Sequence, residues 1–455
     1  MTVFKAYDVR AVYPEPLDED MAHRIGQAAA TLLLGESGGE GRVVVGHDMR
    51  LSSPSLCAAL KTGICDTGAD VVDVGLVDTP LVTFAVKHLG AIGGIQTTAS
   101  HNPAQYNGFK ICRGGAKPVG MGSGLEVIQE LAEGDRSPLA AEDRGDEQEV
   151  DLWEDYRRHV FGQLDPRIQS GEVTIRAAID ASNGMAGTMV PKVFRCVPGL
   201  DLVEINFEND KGTFVHEPNP LVEANLAQVR EAVVAKGCDL GICFDGDADR
   251  CMVVDDCGKI VGCDLITAWL APRFLRDEPA GGAIVYDLRS SKAVAKAIES
   301  SGGRAVRSRV GHVFMKQKMA EHDAPFGGEL SGHFYFRDNA YADSGAMAFA
   351  AVVSALVDAD CSMSELTDPL RMFSQSGEIN FETPDKQAAM DAIAAAYPDA
   401  AVDYLDGVTI DCGDWWCNVR PSNTEPLLRL NLEASSPQAV ESRIAEVSAY
   451  LGTRV

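Results

Sequence analysis

The stretch "RVVVGHDMRLSSPSLCAAL", residues 42–60, contains a short β-rich run, then an aspartate, a few small or polar residues and a helix-like segment. The valines favour a strand, and the serines that follow are typical of a helix N-terminus. A strand that leads through polar residues into a helix is the first half of a β-α-β unit. This stretch therefore predicts an α/β fold.

The same plan occurs twice more along the chain. "RAAIDASNGMAGTMV" (176–190) and "GAIVYDLRSSKAVAKAI" (282–298) each place an aspartate between a β-rich run and a helix-like segment. The three aspartates are Asp48, Asp180 and Asp287, and second strands are predicted near 71–77, 202–207 and 305–310. The chain therefore contains three tandem, related α/β regions, which we predict at 1–152, 153–254 and 255–369.

The end of the chain has a different pattern. Residues 408–420 and 427–434 alternate like strands of a half-exposed sheet, and helical patterns flank them at 385–397 and 436–452. This predicts a C-terminal α+β domain at 370–455. The acidic segment 140–160 is predicted to be a helix that joins the first two α/β regions.

Composition excludes some functions. The formal net charge of −27 disfavours a nucleic-acid or anionic-membrane partner, and an anionic substrate would need a local cluster of positive groups. The cysteines are scattered without metal-binding spacing, which favours a reducing compartment. The N-terminus has no apolar segment typical of a signal peptide, and the apolar run near 346–357 is too short to span a bilayer. We therefore expect a cytoplasmic protein.

The strongest chemical signal is "LGICFDGDADRCMVVDD", residues 240–256. Asp245, Asp247 and Asp249, called the acid trio below, alternate between two apolar runs. Such carboxylates can converge on a hard divalent cation such as Mg²⁺ or Ca²⁺. An EF-hand is excluded, because it needs glycine and glutamate where Arg250 and Asp256 stand. A solvated polar turn is the alternative. A metal here would have open positions for an anionic ligand, and Arg250 lies beside them.

A second signal is "VRPSNTEPLLRL", residues 419–430. Two guanidinium groups, two hydroxyls and the amides of a turn form a donor cluster suited to phosphate. The residues concerned are Arg420, Ser422, Asn423, Thr424 and Arg429. An ordinary turn with a helix cap is the alternative.

Two further loops are weaker signals taken alone. In "PFGGELSGHFYF" (325–336), Glu329 and Ser331 are two residues apart and suit a pair of sugar hydroxyls, whereas His333 also fits a structural role. In "TTASHNPAQYNGFKI" (97–111), Ser100 is either a turn cap or a nucleophile, and Lys110 is an ordinary surface residue unless the loop is functional. Ligands of open α/β sheets bind beyond the carboxyl ends of strands, where these loops are predicted to lie.

Together, "TTASHNP", "DGDADR", "GGELSGH" and "RPSNTEP", in this order, resemble the four signature loops of the α-D-phosphohexomutase superfamily. The resemblance covers the whole chain and is strongest to the bacterial phosphomannomutase/phosphoglucomutase branch. It implies three related α/β domains with mixed sheets and a C-terminal α+β domain, arranged as a heart around one central cleft.

The resemblance also implies roles for individual residues. Ser100 matches the serine that is phosphorylated and completes the ligands of Mg²⁺, with the acid trio as the protein carboxylates. Glu329 and Ser331 match the sugar-binding loop, and the 420–429 cluster matches the loop that binds the non-reacting phosphate. Residues that match cleft positions for proton transfer or substrate contact are Tyr7, Arg10, Lys110, Arg250, Arg289, His312 and His333.

Three positions depart from the family pattern. Ala11 stands where glycine is usual, His47 where arginine is common, and Val310 where threonine precedes glycine. These differences affect local loop geometry and leave every signature residue in place.

The implied activity interconverts hexose 6-phosphate and hexose 1-phosphate through phosphoserine and a hexose 1,6-bisphosphate. We expect mannose phosphates as substrates, with a phosphoglucomutase or dual-specificity enzyme as the alternative. A metal-dependent sugar phosphatase and a non-catalytic sugar-phosphate sensor are further alternatives. The expected partners are small-molecule sugar phosphates, not nucleic acid or membrane, and we expect a monomer or a weak homodimer.

Overall fold

The computed structural model describes residues 2–134, 138–359, 361–422 and 427–455. It divides into two compact units. The first comprises residues 1–261 and 331–364, and the second comprises residues 262–330 and 365–455.

The first α/β region forms a mixed sheet with four helices. Its strands are β1 (Val9–Val12), β2 (Arg42–His47), β3 (Asp70–Leu76), β4 (Gly93–Thr97), β5 (Tyr106–Arg113), β6 (Lys117–Pro118) and β7 (Glu147–Glu149), and its helices are α1 (Glu19–Ser37), α2 (Ser53–Cys65), α3 (Thr79–Leu89) and α4 (Leu125–Glu133). The order is β1-β5-β4-β2-β3-β7, with β6 beside β5. The central strands β4, β2 and β3 are parallel, and β5 is antiparallel to β4.

The predicted helix at 140–160 is only partly correct. Residues 147–149 form the exposed edge strand β7, which runs parallel to β3, and the helix begins later at Trp153. Hydrogen bonding to the open edge of the sheet gives this polar segment backbone partners that its sequence pattern does not reveal.

The second region forms a smaller mixed sheet. Its strands are β8 (Ile175–Asp180), β9 (Leu200–Ile205), β10 (Leu240–Phe244), β11 (Cys251–Asp255) and β12 (Ile260–Val261), and its helices are α5 (Trp153–Phe161), α6 (Pro166–Ser170), α7 (Ala186–Val193) and α8 (Ala227–Lys236). The order is β12-β11-β10-β8-β9. β10, β8 and β9 are parallel, and β10 and β11 form an antiparallel pair.

The third region contributes to both units. In the second unit, α9 (Cys263–Leu275), β13 (Ala283–Asp287), α10 (Lys292–Ser300), β14 (Arg304–Ser308), α11 (His312–His322) and β15 (Phe326–Gly328) follow one another, and β14, β13 and β15 are parallel. In the first unit, β16 (Phe334–Phe336) and β17 (Ala342–Asp343) form an antiparallel pair before the almost wholly buried α12 (Gly345–Val357).

The C-terminal region is an antiparallel sheet with two helices packed against it. After α13 (Met363–Thr367), its elements are β18 (Ser374–Glu382), α14 (Lys386–Ala396), β19 (Ala401–Asp403), β20 (Val408–Asp411), β21 (Trp415–Pro421), β22 (Leu428–Ala434), α15 (Pro437–Leu451) and β23 (Thr453–Arg454). The order is β19-β20-β21-β22-β18-β23. The core of this region includes Phe381, Ile393 and Val447, which are buried. Short 3₁₀ turns at Gly114–Ala116, Glu223–Leu226, Arg337–Asn339 and Asp368–Leu370 complete the secondary structure.

The three repeated aspartates end their strands in the same way. Oδ1 of Asp48, Asp180 and Asp287 each accepts a hydrogen bond from the backbone N–H two residues later, at 3.0, 2.8 and 2.8 Å. Each aspartate therefore closes a turn between a buried strand and the following helix. This shared turn explains the repeat seen in the sequence. The predicted fold class, three α/β regions and a C-terminal α+β region, is confirmed.

Among the residues that the structure describes, no helix is a candidate for a membrane-spanning segment. None of these helices combines the length and the apolar character that crossing a bilayer requires.

Candidate active site

Ser100 lies in the loop after β4, and its side chain is buried. Its φ angle of 47° is in the left-handed region, which is uncommon for serine and occurs where surrounding contacts fix the backbone. Ser100 Oγ donates a hydrogen bond to Asp245 Oδ2 at 2.9 Å and lies 3.3 Å from His101 Nδ1. The loop therefore holds this hydroxyl against the acid trio.

The acid trio lies in the loop between β10 and β11, within the first unit. All three side chains are buried, and ligand oxygens of the three lie within 4.8 Å of one another. Two other groups of possible metal ligands occur among the described residues, but only the acid trio is buried throughout. Two unpaired charges 4 Å apart repel by about 4 kcal/mol at an effective dielectric constant of 20, so the trio needs positive neighbours.

Lys110 on β5 supplies one of these charges. Its Nζ donates to Asp247 Oδ2 at 2.7 Å and to Asp249 Oδ2 at 2.5 Å. Burial disfavours the ammonium, but the attraction of the acid trio is larger and raises the pKa of Lys110 above its usual value. In this arrangement Lys110 is therefore a hydrogen-bond donor to two of the three carboxylates.

The acid trio fits a hard divalent cation. Its donors are all oxygens, and Asp247 Oδ1 is buried without a hydrogen-bond partner among the described residues. If all three carboxylates are ionised, they exceed the two permanently charged neighbours, Lys110 and Arg250, by one charge. Burial and the neighbouring carboxylates raise the pKa of Asp245 well above its usual value, while Lys110 and His333 outweigh burial and lower that of Asp249.

Arg250 and His333 lie beside the acid trio. Arg250 Nε donates to His333 Nε2 at 3.3 Å and lies 3.7 Å from Asp245 Oδ2, and His333 Nε2 lies 3.5 Å from Asp249 Oδ1. Ser331 Oγ lies 2.9 Å from His333 Nδ1. Four of the predicted residues, namely Ser100, Lys110, Arg250 and His333, are therefore brought together with the trio in one unit.

Arg10 on β1 binds the loop that contains Ser100. Its Nη1 donates to Asn102 Oδ1 at 2.7 Å, and its Nη2 donates to Asp8 Oδ2 at 2.5 Å. Tyr7 precedes the same strand and is half-buried. These contacts place Arg10 next to the residues that follow Ser100.

Sequence reasoning missed Arg50, which organises this loop. Arg50 is 2% exposed and forms an ion pair with Asp48. Its guanidinium donates to four backbone carbonyls, those of Ser100 (2.9 Å), Asn102 (2.7 Å), Pro103 (2.8 Å) and Tyr106 (3.0 Å). The planar, five-donor group suits such a task better than lysine would. The available signal was the Asp-x-Arg sequence at 48–50, which also occurs at Asp287 and Arg289.

The second unit contains a further group of predicted residues. Arg289 is bound to Asp287 through Nη2 at 2.8 Å and Nε at 3.2 Å, and this carboxylate raises the pKa of Arg289 although burial opposes it. Glu329 is buried, and its Oε1 accepts a hydrogen bond from Gly311 N at 2.9 Å. His312, at the start of α11, follows that glycine.

Arg420 and Arg429 lie directly opposite each other on β21 and β22. Burial and the nearby Arg289 lower the pKa of Arg420. Ser422 directly follows β21, and its N–H donates to Leu427 O at 2.8 Å. Asn423 and Thr424 lie outside the described residues. The structure therefore places two arginines of the predicted donor cluster side by side.

Four family models match consecutive parts of the chain. They are phosphoglucomutase/phosphomannomutase α/β/α domain I at residues 1–136, domain II at 154–258, domain III at 263–373 and the C-terminal domain at 378–449. The chain belongs to the phosphoglucomutase/phosphomannomutase family. It is therefore a phosphohexomutase, an isomerase that transfers a phosphoryl group within a hexose phosphate.

Known relatives of this phosphohexomutase match along nearly the whole chain. "Phosphohexose mutases" from Xanthomonas campestris pv. campestris (strain B100) are 38% identical over 99% of this chain and 99% of their own. "Phosphomannomutase" from Escherichia coli (strain K12) is 38% identical over 95% of each chain. A crystal structure of a phosphoglucomutase/phosphomannomutase family protein from Burkholderia thailandensis is 31% identical, with a TM-score of 0.88 over 99% of this chain and 97% of that one.

Thr79 at the start of α3 is a second residue that sequence reasoning missed. Its Oγ1 donates to Asp247 Oδ2 at 2.5 Å, and its backbone N–H donates to the backbone carbonyl of Asp247 at 3.2 Å. No motif or spacing links positions 79 and 247, so only the folded chain reveals the pair. Thr79 orients one carboxylate of the acid trio from outside the trio.

We predict that Thr79→Val weakens divalent-cation binding by about tenfold or more, because loss of a hydrogen bond to a metal ligand leaves that ligand poorly oriented. Titration of the purified protein with Mn²⁺, followed by electron paramagnetic resonance, measures the affinity.

The conservative variant Thr79→Ser keeps the hydroxyl and should bind as the wild type does. Thr83→Val, one turn later in α3, removes only a local bond to Pro80 O and is the matched control. Equal affinities for all four proteins would contradict the proposed positioning role.

Proposed function

We propose that this phosphohexomutase interconverts mannose 6-phosphate and mannose 1-phosphate through phospho-Ser100 and a hexose 1,6-bisphosphate intermediate. The observation that carries the proposal is the 2.9 Å hydrogen bond between Ser100 Oγ and Asp245 within the buried acid trio. Similarity to a phosphomannomutase supports mannose as the sugar. A phosphoglucomutase or dual-specificity enzyme is the second candidate, favoured by the relatives named phosphohexose mutases.

In the proposed reaction, phospho-Ser100 gives its phosphoryl group to the free hydroxyl of the substrate. The P–O bond to Ser100 breaks as the bond to the sugar oxygen forms. The proton of the sugar hydroxyl passes to a base, and the released Ser100 Oγ takes up a proton. Arg250 and Lys110 offset the charge of the transferring group, because positioning and electrostatics dominate phosphoryl transfer. The second phosphate of the bisphosphate then returns to Ser100, which completes the isomerisation.

The base in this step is a histidine in our proposal. Lys110 Nζ donates hydrogen bonds to two carboxylates of the acid trio, a geometry that suits charge stabilisation. His333, which contacts Arg250 and Ser331, is the candidate in the first unit. His312 is the candidate in the second unit.

The acid trio, with an oxygen of phospho-Ser100, would hold Mg²⁺. When bound, this ion supplies positive charge that stabilises the phosphoryl oxygens. The charge count supports it, since the trio with Lys110 and Arg250 is short of positive charge. The buried and unpartnered Asp247 Oδ1 supports it as well.

Most of the proposed substrate contacts are residues of the second unit. Arg420, Arg429 and Arg289 bind the non-reacting phosphate through charge-assisted hydrogen bonds. Glu329 binds sugar hydroxyls as an acceptor. The remaining proposed contacts are Ser422, Asn423 and Thr424 for the phosphate, Ser331 for a sugar hydroxyl, and Tyr7 and Arg10 for the substrate.

The wider proposals follow from composition and from this chemistry. The partners are small sugar phosphates, not nucleic acid or an anionic membrane, since the net charge is −27. A cytoplasmic location and a monomer or weak homodimer remain proposals. The four domain boundaries, after residues 152, 254 and 369, also remain proposals.

We predict that Ser100→Ala lowers kcat by roughly 10³-fold or more, because the group carrier is lost, while the melting temperature stays within a few degrees. Intact-mass measurement after incubation with glucose 1,6-bisphosphate should show one added phosphoryl group on the wild type and none on the variant.

The matched control is Ser55→Ala, which removes the hydroxyl of an exposed serine on α2. This variant should accept a phosphoryl group on Ser100 and should turn over substrate at the rate of the wild type. Full turnover by Ser100→Ala would contradict the phosphoserine mechanism. Failure of the wild type to accept a phosphoryl group would favour a non-catalytic sensor.

We also predict that kcat/KM is higher for mannose 1-phosphate than for glucose 1-phosphate or glucosamine 1-phosphate. Mannose and glucose differ only at C2, so we expect a modest ratio between their kcat/KM values. A ratio of about tenfold is equivalent to about 1.4 kcal/mol of transition-state binding. A higher value for glucose 1-phosphate would replace mannose by glucose as the preferred sugar. Release of inorganic phosphate without isomerisation would indicate a phosphatase.

A further inference from the structure

Glu378 on β18 lies among three arginines of the second unit. Its Oε2 accepts a hydrogen bond from Arg420 Nη2 at 2.8 Å and lies 3.8 Å from Arg289 Nη1, and its Oε1 lies 3.3 Å from Arg429 Nη1. We call Arg289, Arg420 and Arg429 the arginine cluster. A single carboxylate is thus shared by three guanidinium groups.

The C-terminal sheet brings these groups together. β22 lies between β21 and β18, so Arg420, Arg429 and Glu378 come from three adjacent strands. The pairing of β18 with β22 shifts between Gln375 and Glu378, where Gly377 has a φ of 66°. Such a bulge re-aims side chains at functional positions. The irregularity immediately precedes the glutamate that meets the cluster.

The arginines are more firmly held than the carboxylate. The Arg420 side chain is 1% exposed and Arg289 is bound by two hydrogen bonds to Asp287, whereas the Glu378 side chain is 30% exposed. Arg420 Nε is also buried without a hydrogen-bond partner among the described residues. An incoming anion would therefore displace the glutamate rather than the guanidinium groups.

A carboxylate and a phosphate compete for the same donors. Both accept paired hydrogen bonds from guanidinium groups, and phosphate offers more oxygens and more charge. A phosphate at the cluster would meet repulsion from Glu378 as well as attraction from the arginines. Without any anion, the three arginines would repel one another.

We propose that Glu378 is an internal stand-in for the substrate phosphate. It neutralises the arginine cluster in the free enzyme and is displaced when the non-reacting phosphate binds. The inference rests on the proposed function, in which this cluster binds that phosphate. Competition from Glu378 weakens binding and speeds release, which suits an enzyme that must bind either phosphate of a bisphosphate at the same cluster.

Glu378→Gln tests this role, because the amide keeps the shape of the side chain and removes its charge. We expect the Kd for inorganic phosphate and for mannose 1-phosphate to fall by about tenfold, since the repulsion is lost. We also expect KM and kcat to fall together, because release becomes slower. Isothermal titration calorimetry and steady-state kinetics on the full-length protein give these values.

Two companion variants sharpen the test. Glu382→Gln removes an exposed carboxylate from the same strand and should leave Kd, KM and kcat unchanged. Glu378→Asp retains the charge on a shorter side chain and should give a Kd between those of the wild type and Glu378→Gln. It keeps the test open if the glutamine variant fails to fold, which circular dichroism would reveal.

Unchanged or weaker phosphate binding by folded Glu378→Gln, or by Glu378→Asp, would overturn the inference and would leave the proposed function intact, provided that the wild type isomerises its substrate. The proposed function itself would be refuted by a result for the wild type, not for the Glu378 variants. In that case the wild type would bind phosphate no more tightly than Arg420→Gln does, and it would not isomerise hexose phosphates.

Discussion

The charge balance of the buried acid trio constrains the rest of the first unit. Three carboxylates cannot remain together in a buried loop unless positive groups and hydrogen-bond donors reach them. These partners come from distant parts of the chain, namely Lys110 on β5, Thr79 at the start of α3 and Ser100 after β4. The first and second sheets are therefore joined through the same contacts that build the site. Removal of one partner from a buried ion pair typically lowers the free energy of unfolding by about 3–5 kcal/mol.

This balance also connects structure with function. The trio, Lys110 and Arg250 together lack one positive charge. The proposed divalent cation and phosphoserine have opposite charges of similar size, so binding both would leave this balance nearly unchanged. In the second unit the opposite holds, because three arginines are paired with two carboxylates, the shared Glu378 and the Asp287 that binds Arg289. An excess of positive charge suits a phosphate that is bound and released without being cleaved. In the proposed mechanism both clusters bind phosphate, and the nucleophile, Ser100, belongs to the first.

Much of this organisation could be predicted from the sequence because it depends on local patterns. The three strand–aspartate–helix stretches predicted the α/β repeat, and the structure shows why, since each aspartate closes the same turn. The alternating aspartates predicted the acid trio. Edge strand β7 could not be predicted, because its polar residues pair with a strand that is distant in sequence. Arg50, Thr79 and Glu378 were missed for a related reason, as each acts on a residue or loop that only folding brings near. The roles of the site residues remain predictions.

The fate of the phosphoryl group on Ser100 distinguishes the phosphoserine mechanism from its alternatives. The enzyme would first be labelled with ³²P on this serine, freed of excess label and mixed with unlabelled mannose 1-phosphate in the presence of Mg²⁺. The phosphoserine mechanism predicts that the label moves into hexose bisphosphate and hexose 6-phosphate within one turnover. Label that remained on the protein while the sugar isomerised, or that appeared as inorganic phosphate, would contradict it.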